Sequence, residues 1–197
     1  MLIMYFITEL HWRVPNQDND FNDYIKTITP TNSILRIKDK ISGENVPVEL
    51  FNKIVNEPAF IHSSKLLKAT EDIIDIVKNE SLQNWKLYYV APNNPQLNLL
   101  SDNPVILKEN NNSNILKSEM IFPLSKGKTI YNTNGKTLKI IPPENRLNAD
   151  VLAFIQANKF ICGPNAKYLE EISKLSQYYD TEQRIKSLKE KVFSVFE

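Results

Sequence analysis

Cysteine is almost absent from this chain of 197 residues, since Cys162 is the only one. A single cysteine cannot form an internal disulfide, which is typical of a reducing compartment, and we predict a cytoplasmic location. Histidine is scarce too, with only His11 and His62. No spacing of cysteine and histidine resembles a zinc site, so the sequence predicts no metal centre.

Glycine is also rare. The chain has four glycines, and no pair of them forms a loop that would cradle a phosphate. Walker-type and dinucleotide-binding motifs are therefore absent, and no cofactor is predicted. The formal net charge is +1, whereas proteins that bind the nucleic-acid backbone usually carry a strongly basic face. We expect no general nucleic-acid backbone binding.

No hydrophobic run is long enough to span a bilayer. The apolar start, residues 1–12, is too short for that and contains Glu9 and His11. It also lacks the basic leader and the small-residue cleavage pattern of a signal peptide. The segment is predicted to be a core helix that begins abruptly, and no membrane partner is expected.

Helical periodicity dominates the first part of the chain. Phe21, Tyr24 and Ile25 recur at helical spacing behind a predicted N-cap in residues 18–20, and Pro47 is placed to begin another helix. A further helix is predicted from about residue 58 to residue 80. The apolar residues assigned to its inner side are Leu66, Leu67, Ile73, Ile74, Ile76 and Val77. Residues 33–41 fit neither the helical nor the strand period.

Short β-type runs occupy the middle of the chain, separated by Asn, Pro and Gly. They are residues 85–90, 97–100, 105–107, 120–122, 129–131 and 137–141. This spacing predicts a mostly antiparallel sheet of hairpins and bends. Asn134 and Gly135, between the last two runs, predict a tight hairpin.

After residue 142 the helical period returns, followed by a brief strand at residues 159–162. Two helices are predicted beyond it, separated by a capping box of Asp180 and Gln183. This order indicates an α+β fold with N-terminal helices, a central mostly antiparallel sheet and C-terminal helices. We predict one domain over residues 1–165 and a C-terminal helical extension, residues 166–197, that packs on it. The same helices are the predicted surface for a homo-oligomer or a protein partner.

The turn Ser101–Pro104, here named the corner, is the most compact cluster of functional side chains. Pro104 biases Asn103 toward an extended backbone, so polar groups project from a rigid turn. In one interpretation Asp102 is the catalytic candidate, as a general base or metal ligand, and Asn103 orients the substrate. In the other, both side chains bond to nearby backbone. The second is favoured because the sequence places no second acid or histidine beside Asp102.

Three residues outside the corner complete the candidate site. Ser125 follows a strand beside two lysines, where it either binds a phosphate or carboxylate or caps the turn. The Asn148 amide points partly toward the core and needs partners, the simplest being backbone of the sheet or of the corner. Arg13 either pairs with Asp102 across a cleft or lies on the surface. The candidate ligand-binding residues are Arg13, Ser101, Asp102, Asn103, Ser125 and Asn148.

An ordered series of short motifs carries a family resemblance. It consists of Asn84-Trp85 ahead of a strand, then residues 99–105, residues 121–125 and Asn148, with residues 10–15 similar to a helix that ends in an Arg-x-Pro step. In order and spacing the chain resembles the bacterial domain-of-unknown-function family 4238, from Arg13 to about Asn165. Members usually begin with a His-aromatic-Val-Pro segment that has no match here, so the chain resembles a shortened member. Lys126 stands where the family often has proline.

Three functions from different classes are open, and the resemblance implies no established reaction. The favoured one is a cytoplasmic interaction or small-ligand-binding domain whose corner holds an acidic or amide-containing ligand. The second is a hydrolase, with nucleic acid among its candidate substrates and Asp102 as the key acid. The third is a shortened, inactive family member whose polar residues only hold the fold together. Whether the chain is an enzyme stays open at this point.

Overall fold

The computed structural model describes residues 2–14, 17–31, 37–78, 84–89, 98–109 and 114–197. The chain divides into two compact units, Met1–Asp75 and Ile76–Glu197. These bounds differ from the predicted boundary after residue 165. Within the described ranges, no helix combines the length and the apolar composition that a membrane crossing requires.

The first unit is helical. Its elements are α1 (Leu2–Arg13), α2 (Asp18–Lys26), α3 (Val48–Val55) and α4 (Pro58–Lys78), whose last turn belongs to the second unit. Pro47 is the N-cap of α3, where its fixed φ suits a helix start. The predicted N-cap of α2 was one residue late. Gln17 is the cap, and Asp18 and Asp20 lie in the first turn, where acidic side chains favour the helix dipole.

The inner face of α4 differs from the predicted one. Ile74 and Val77 are 46% and 43% exposed, although the sequence placed both on the buried side. Ser64, Lys68 and Asp72 instead form a buried stripe at four-residue spacing. Counting apolar residues missed this stripe because polar side chains can be buried once they have partners inside the unit.

The second unit contains the sheet. Its strands are β1 (Trp85–Tyr89), β2 (Leu100–Ser101), β3 (Ile106–Leu107), β4 (Met120–Ser125), β5 (Lys128–Asn132) and β6 (Ile161–Cys162). A four-stranded antiparallel sheet has the order β1-β5-β4-β3, and β2 pairs separately with β6. Together with the helices on both sides in sequence, this confirms the predicted α+β fold.

The predicted hairpin at Asn134 and Gly135 was only half right. Both residues have positive φ, 48° and 88°, so the turn forms. The run that follows does not return along β5, however. Thr137 and Glu197 exchange backbone hydrogen bonds of 2.6 and 2.9 Å, and Leu138 bridges Phe196. Residues 137–138 therefore pair with the C-terminal residues, whereas the predicted hairpin would have paired them with β5.

Three helices complete the second unit: α5 (Pro143–Gln156), α6 (Ala166–Ser176) and α7 (Glu182–Phe193). The predicted break between the last two helices is confirmed, with Thr181 rather than Asp180 as the cap of α7. Strand and helix side chains share one core. Its members include Leu99, Ile106, Ile121, Val151, Leu152, Ile172, Leu188 and Val192. The helices after residue 165 therefore pack in the same core as the sheet.

Candidate functional site

The corner begins where β2 ends. β2 is held by β6, which pairs Ser101 with Ile161, and the Asp102 N–H donates to the Phe160 carbonyl at 3.3 Å. Asn103 and Pro104 are buried behind it. Pro104 has no N–H to satisfy, which makes it suited to a buried bend. The corner is therefore anchored by backbone pairing on its strand side.

Both oxygens of the Asp102 carboxylate bind backbone amides. Oδ1 accepts the N–H of Asn158 and Oδ2 accepts the N–H of Lys159, each at 2.9 Å. These amides belong to the segment that follows α5, where the chain turns toward β6. A carboxylate bound in this way fixes a loop, because both of its oxygens are aimed at main chain. The geometry favours the structural interpretation of Asp102 over a general base.

Asn103 fastens the corner to the last residue of α5. Its Nδ2 donates to the Gln156 carbonyl at 3.0 Å, and Gln156 Nε2 donates back to the Asn103 carbonyl at 2.5 Å and to the Val105 carbonyl at 3.2 Å. Gln156 is thus the residue that joins helix and corner. The sequence had offered Asn148 for this role, two turns earlier on the same helix.

Two oxygen atoms of the corner stand without partners. Among the described residues, neither Ser101 Oγ nor Asn103 Oδ1 has a hydrogen-bond partner, although both atoms are buried. Leaving such a group unpaired costs about 1–3 kcal/mol. Asn103 Oδ1 can only accept a hydrogen bond, whereas Ser101 Oγ can donate or accept.

The other three candidates make different contacts. Arg13 is in the first unit, pairs with Glu9 at 3.2 Å and has a side chain that is 59% exposed. Ser125 ends β4 and contributes its backbone carbonyl, which accepts from Asn98 Nδ2 at 2.8 Å. Asn148 is half-buried, and its side chain makes no hydrogen bond within the described ranges. The structure therefore joins only Ser101, Asp102 and Asn103 of the six into one bonded cluster.

The sequence analysis did not identify Asp150, a buried carboxylate on α5. Asp150 Oδ1 accepts the backbone N–H of Leu99 at 2.9 Å, and Oδ2 accepts the Tyr168 hydroxyl at 2.5 Å. Burial raises the pKa of Asp150 to about 6, and the two hydrogen bonds and Arg146 work against that rise. Burial and the neighbouring carboxylate in turn raise the pKa of Tyr168. We name Asp150, Tyr168 and Arg146 the Asp150 centre.

Arg146 links this centre to the sheet. It is 8% exposed, and Nη2 donates to Asn98 Oδ1 at 3.3 Å. The Asn98 amide in turn donates to the carbonyls of Ser125 and Lys128 and to Thr129 Oγ1, at 2.8–3.1 Å. The only sequence signal was the Arg146–Asp150 spacing, which places both side chains on one face of a helix. The pattern of apolar residues on α5 pointed instead to Asn148.

The first unit holds a second buried ionic cluster, named here the Lys68 cluster. Lys68 and Asp72 have side chains with no exposed surface and form an ion pair of 2.5 Å. Asp72 also accepts the Trp12 indole N–H at 3.0 Å, and the Lys68 ammonium lies 4.8 Å from the Tyr24 ring centroid. Burial raises the pKa of Asp72 to about 6, opposed mainly by Lys68.

His11 lies beside this cluster. Burial, with a smaller effect of Lys68, lowers the pKa of His11 to about 3, so its imidazole is neutral at pH 7. Its Nδ1 is buried and unpartnered among the described residues. The sequence analysis placed His11 within the predicted core helix of residues 1–12 but gave it no role of its own.

The arrangement of acids and histidines does not form a metal site in the part of the chain that the structure describes, where no three such residues are placed to hold an ion. The candidate site is therefore the corner, which is hydrogen-bonded to the C-terminal end of α5 through Asn103. Asp102 binds the loop that carries Phe160.

No family model, no curated protein and no solved structure matches this chain.

Proposed function

We propose that this chain is an interaction or small-ligand-binding domain of the bacterial family 4238, and that its corner serves to hold a binding loop. The observation that carries the proposal is the bonding of Asp102, whose carboxylate and backbone N–H together fix the segment Asn158–Phe160. Three bonds from one residue leave this loop little freedom. Its backbone is therefore preorganised.

The fixed loop carries an exposed aromatic ring. The Phe160 side chain is 66% exposed, although its carbonyl is held by Asp102. Large aromatic side chains on rigid backbone are frequent anchors of protein interfaces, because they bury much apolar area at little cost in conformational entropy. Lys159 beside it is exposed as well and supplies a positive charge at the rim. We infer a protein partner with an apolar pocket that receives Phe160.

The hydrolase alternative finds less support in the geometry. A general base needs a lone pair directed at the proton that it removes. Both oxygens of Asp102 point instead at backbone amides. The neighbouring Asp150 has a pKa of about 6, which would suit acid–base chemistry, but it is buried and bonded to Leu99 and Tyr168.

One observation favours small-ligand binding as the second candidate. Asn103 Oδ1 is an acceptor without a donor, and Ser101 Oγ two residues earlier also lacks a partner within the described part of the chain. The Asn103 amide nitrogen is already used by Gln156. The corner therefore suits a ligand that offers an N–H, such as an amide, better than a carboxylate.

The interface is tested by photocrosslinking in cells. A photoreactive phenylalanine analogue at position 160 is compared with the same analogue at position 178, because Tyr178 is equally exposed, at 63%, but lies on a turn that Asp102 does not hold. We expect a discrete protein adduct from position 160 that is absent from position 178 and is lost on Asp102→Ala. Equal adducts from both positions, or none, would refute the interface.

Ligand binding at the corner needs its own measurement. Thermal denaturation of the wild type and of Asn103→Ala is followed with a panel of small amides and a matched panel of small carboxylic acids. A rise in the melting temperature with amides in the wild type alone supports the second candidate. No rise with any amide removes it.

A further inference from the structure

β1 is at the edge of the four-stranded sheet, and its side away from β5, here named the open side, has no neighbouring strand among the described residues. Of the strands that the structure describes, only β5 pairs with β1, in a register that sets Trp85 opposite Asn132. The register extends by one residue, because the Thr133 N–H donates to the Asn84 carbonyl at 3.0 Å. Asn84 and Thr133 therefore form a hydrogen-bonded pair of this antiparallel ladder.

That pair fixes the direction of every backbone group in β1. In an antiparallel ladder, residues two positions apart face the same way, so Lys86 and Tyr88 direct their N–H and C=O groups at β5. The remaining residues direct theirs at the open side. These outward residues are Trp85, Leu87 and Tyr89. An edge that presents a row of such groups is a template for another strand.

The same outward residues share one face of the sheet. Successive side chains alternate, so Trp85, Leu87 and Tyr89 project together. Leu87 is 45% exposed and Tyr89 is 60% exposed. β1 contains no proline, and its one charged residue, Lys86, projects from the opposite face, so the outward residues include no charge that would protect the edge. The open side of β1 therefore presents both unpaired backbone groups and exposed apolar side chains, which a pairing strand would cover.

We propose that β1 pairs antiparallel with β1 of a second copy of this chain, about a two-fold axis at Leu87. In this register Leu87 lies opposite Leu87 of the other copy, and Trp85 lies opposite Tyr89. Each outward N–H then meets a C=O of the other strand. The two four-stranded sheets join into one continuous sheet.

The sequence of β1 is complementary to itself in this register. Aromatic and aliphatic residues face each other along the outward set, and such cross-strand pairs are favourable. Lys86 faces Tyr88 of the other copy, where its ammonium can contact the ring instead of a like charge. A register shifted by two residues would leave outward groups unpaired at the strand ends. This self-complementarity points to a second copy in place of an unrelated chain, and to a closed two-fold dimer.

Sedimentation velocity of the full chain tests the dimer. The wild type is expected to sediment as a species of twice 22.8 kDa, in equilibrium with the monomer. Leu87→Lys places two ammonium groups opposite each other at the axis, so the dimer dissociation constant should rise at least about tenfold. The matched control Leu87→Val keeps an apolar β-branched residue there and should retain the dimer. Circular dichroism confirms that each variant is folded.

Hydrogen exchange of the wild type provides a test that depends on no variant. Exchange of the Leu87 and Tyr89 amides should slow as protein concentration rises, because these N–H groups become bonded only in the dimer. Exchange of the Lys86 and Tyr88 amides should not change, since β5 already holds them. A wild type that stays monomeric, a dimer whose Leu87 amide is unaffected by concentration, or an undiminished dimer in Leu87→Lys would each overturn the proposal. Protection of these amides only on addition of another protein would overturn it as well.

Discussion

Asp72 in the first unit and Asp150 in the second are both buried helical aspartates with a basic residue four positions earlier. Burial raises the pKa of each to about 6. Their partners differ. Asp72 is paired directly with Lys68, whereas Asp150 is held by the Leu99 amide and the Tyr168 hydroxyl.

The comparison shows two physical solutions to one problem. A buried charge needs either an opposite charge or enough hydrogen-bond donors. The first unit buries a whole ion pair, so removal of one member takes away the closest opposite charge of the other. In the second unit the hydrogen bonds to the carboxylate come from neutral donors, and the Arg146 charge acts on it from a side chain that is hydrogen-bonded to Asn98. The two centres should therefore respond differently to mutation and to pH.

The largest effect is expected from Asp72→Ala. It leaves the Lys68 ammonium buried without its closest counter-charge, so the free energy of unfolding of the first unit should fall by about 3–5 kcal/mol. Urea denaturation is followed by the fluorescence of Trp12 in a Trp85→Phe background. The double variant Lys68→Met/Asp72→Leu removes both charges and should recover most of the loss. A double variant as unstable as Asp72→Ala would contradict this explanation.

The next effect is a loss of stability toward acid, which His11 gives to the first unit. The pKa of His11 is about 3 in the folded chain and 6.5 when unfolded, so the unfolded state takes up a proton that the folded state refuses. Stability from His11 is present above pH 6.5 and is lost as pH falls toward 3. Between pH 6 and pH 4, the wild type should lose about 2.5 kcal/mol relative to His11→Leu.

The carboxyl groups act with the opposite sign. Because the folded pKa values of Asp72 and Asp150 are raised, each adds stability as pH falls from about 6 toward 4. The pH dependence from His11 should therefore offset that from Asp72 in the first unit, whereas the second unit contains no histidine that could offset Asp150. Urea unfolding at both pH values, reported by Trp12 or by Trp85, separates the units. Parallel pH profiles of the wild type and His11→Leu would refute the assignment.

A smaller loss is expected from Tyr168→Phe. The change removes one hydrogen bond to a buried carboxylate and should cost about 2 kcal/mol at pH 7.5. The loss should be smaller at pH 5, where Asp150 is largely protonated, and the pKa of Asp150 should rise above its value of about 6. Carbon-13 NMR of the Asp150 carboxyl group measures that pKa. An unchanged pKa would show that the Tyr168 bond does not stabilise the carboxylate.

The smallest loss of stability is expected at the half-buried Asp102 carboxylate, in contrast to the buried carboxylates of Asp72 and Asp150. Asp102→Ala removes two bonds to backbone amides and should cost about 1–2 kcal/mol, with faster hydrogen exchange at Asn158 and Lys159. Asn148→Ala, on α5, is the control, with an expected change within about 0.5 kcal/mol. A loss from Asn148→Ala as large as that from Asp102→Ala would support the sequence-based prediction that the Asn148 amide bonds to the backbone of the sheet or of the corner.

The helices could be predicted from the sequence because their signals are local. Phe21 and Ile25 repeat at helical spacing, Pro47 opens α3, and the break before α7 is marked by short polar side chains. The corner could also be predicted from local sequence, since Pro104 restricts the residue before it. The partners of the corner could not be predicted in this way. Gln156 and the amides of Asn158 and Lys159 are more than fifty positions away in sequence.

The sequence by itself determined the α+β class, the helix and turn chemistry and the rigidity of Ser101–Pro104, because each depends on neighbours along the chain. Only the tertiary structure decided which polar groups are buried. Lys68, Asp72, Arg146 and Asp150 read as solvated helix positions until partners from distant segments surround them. The pairing of residues 137–139 with the chain terminus is of the same kind. Local propensity carries no information about such contacts, since they depend on segments that meet only in the folded chain.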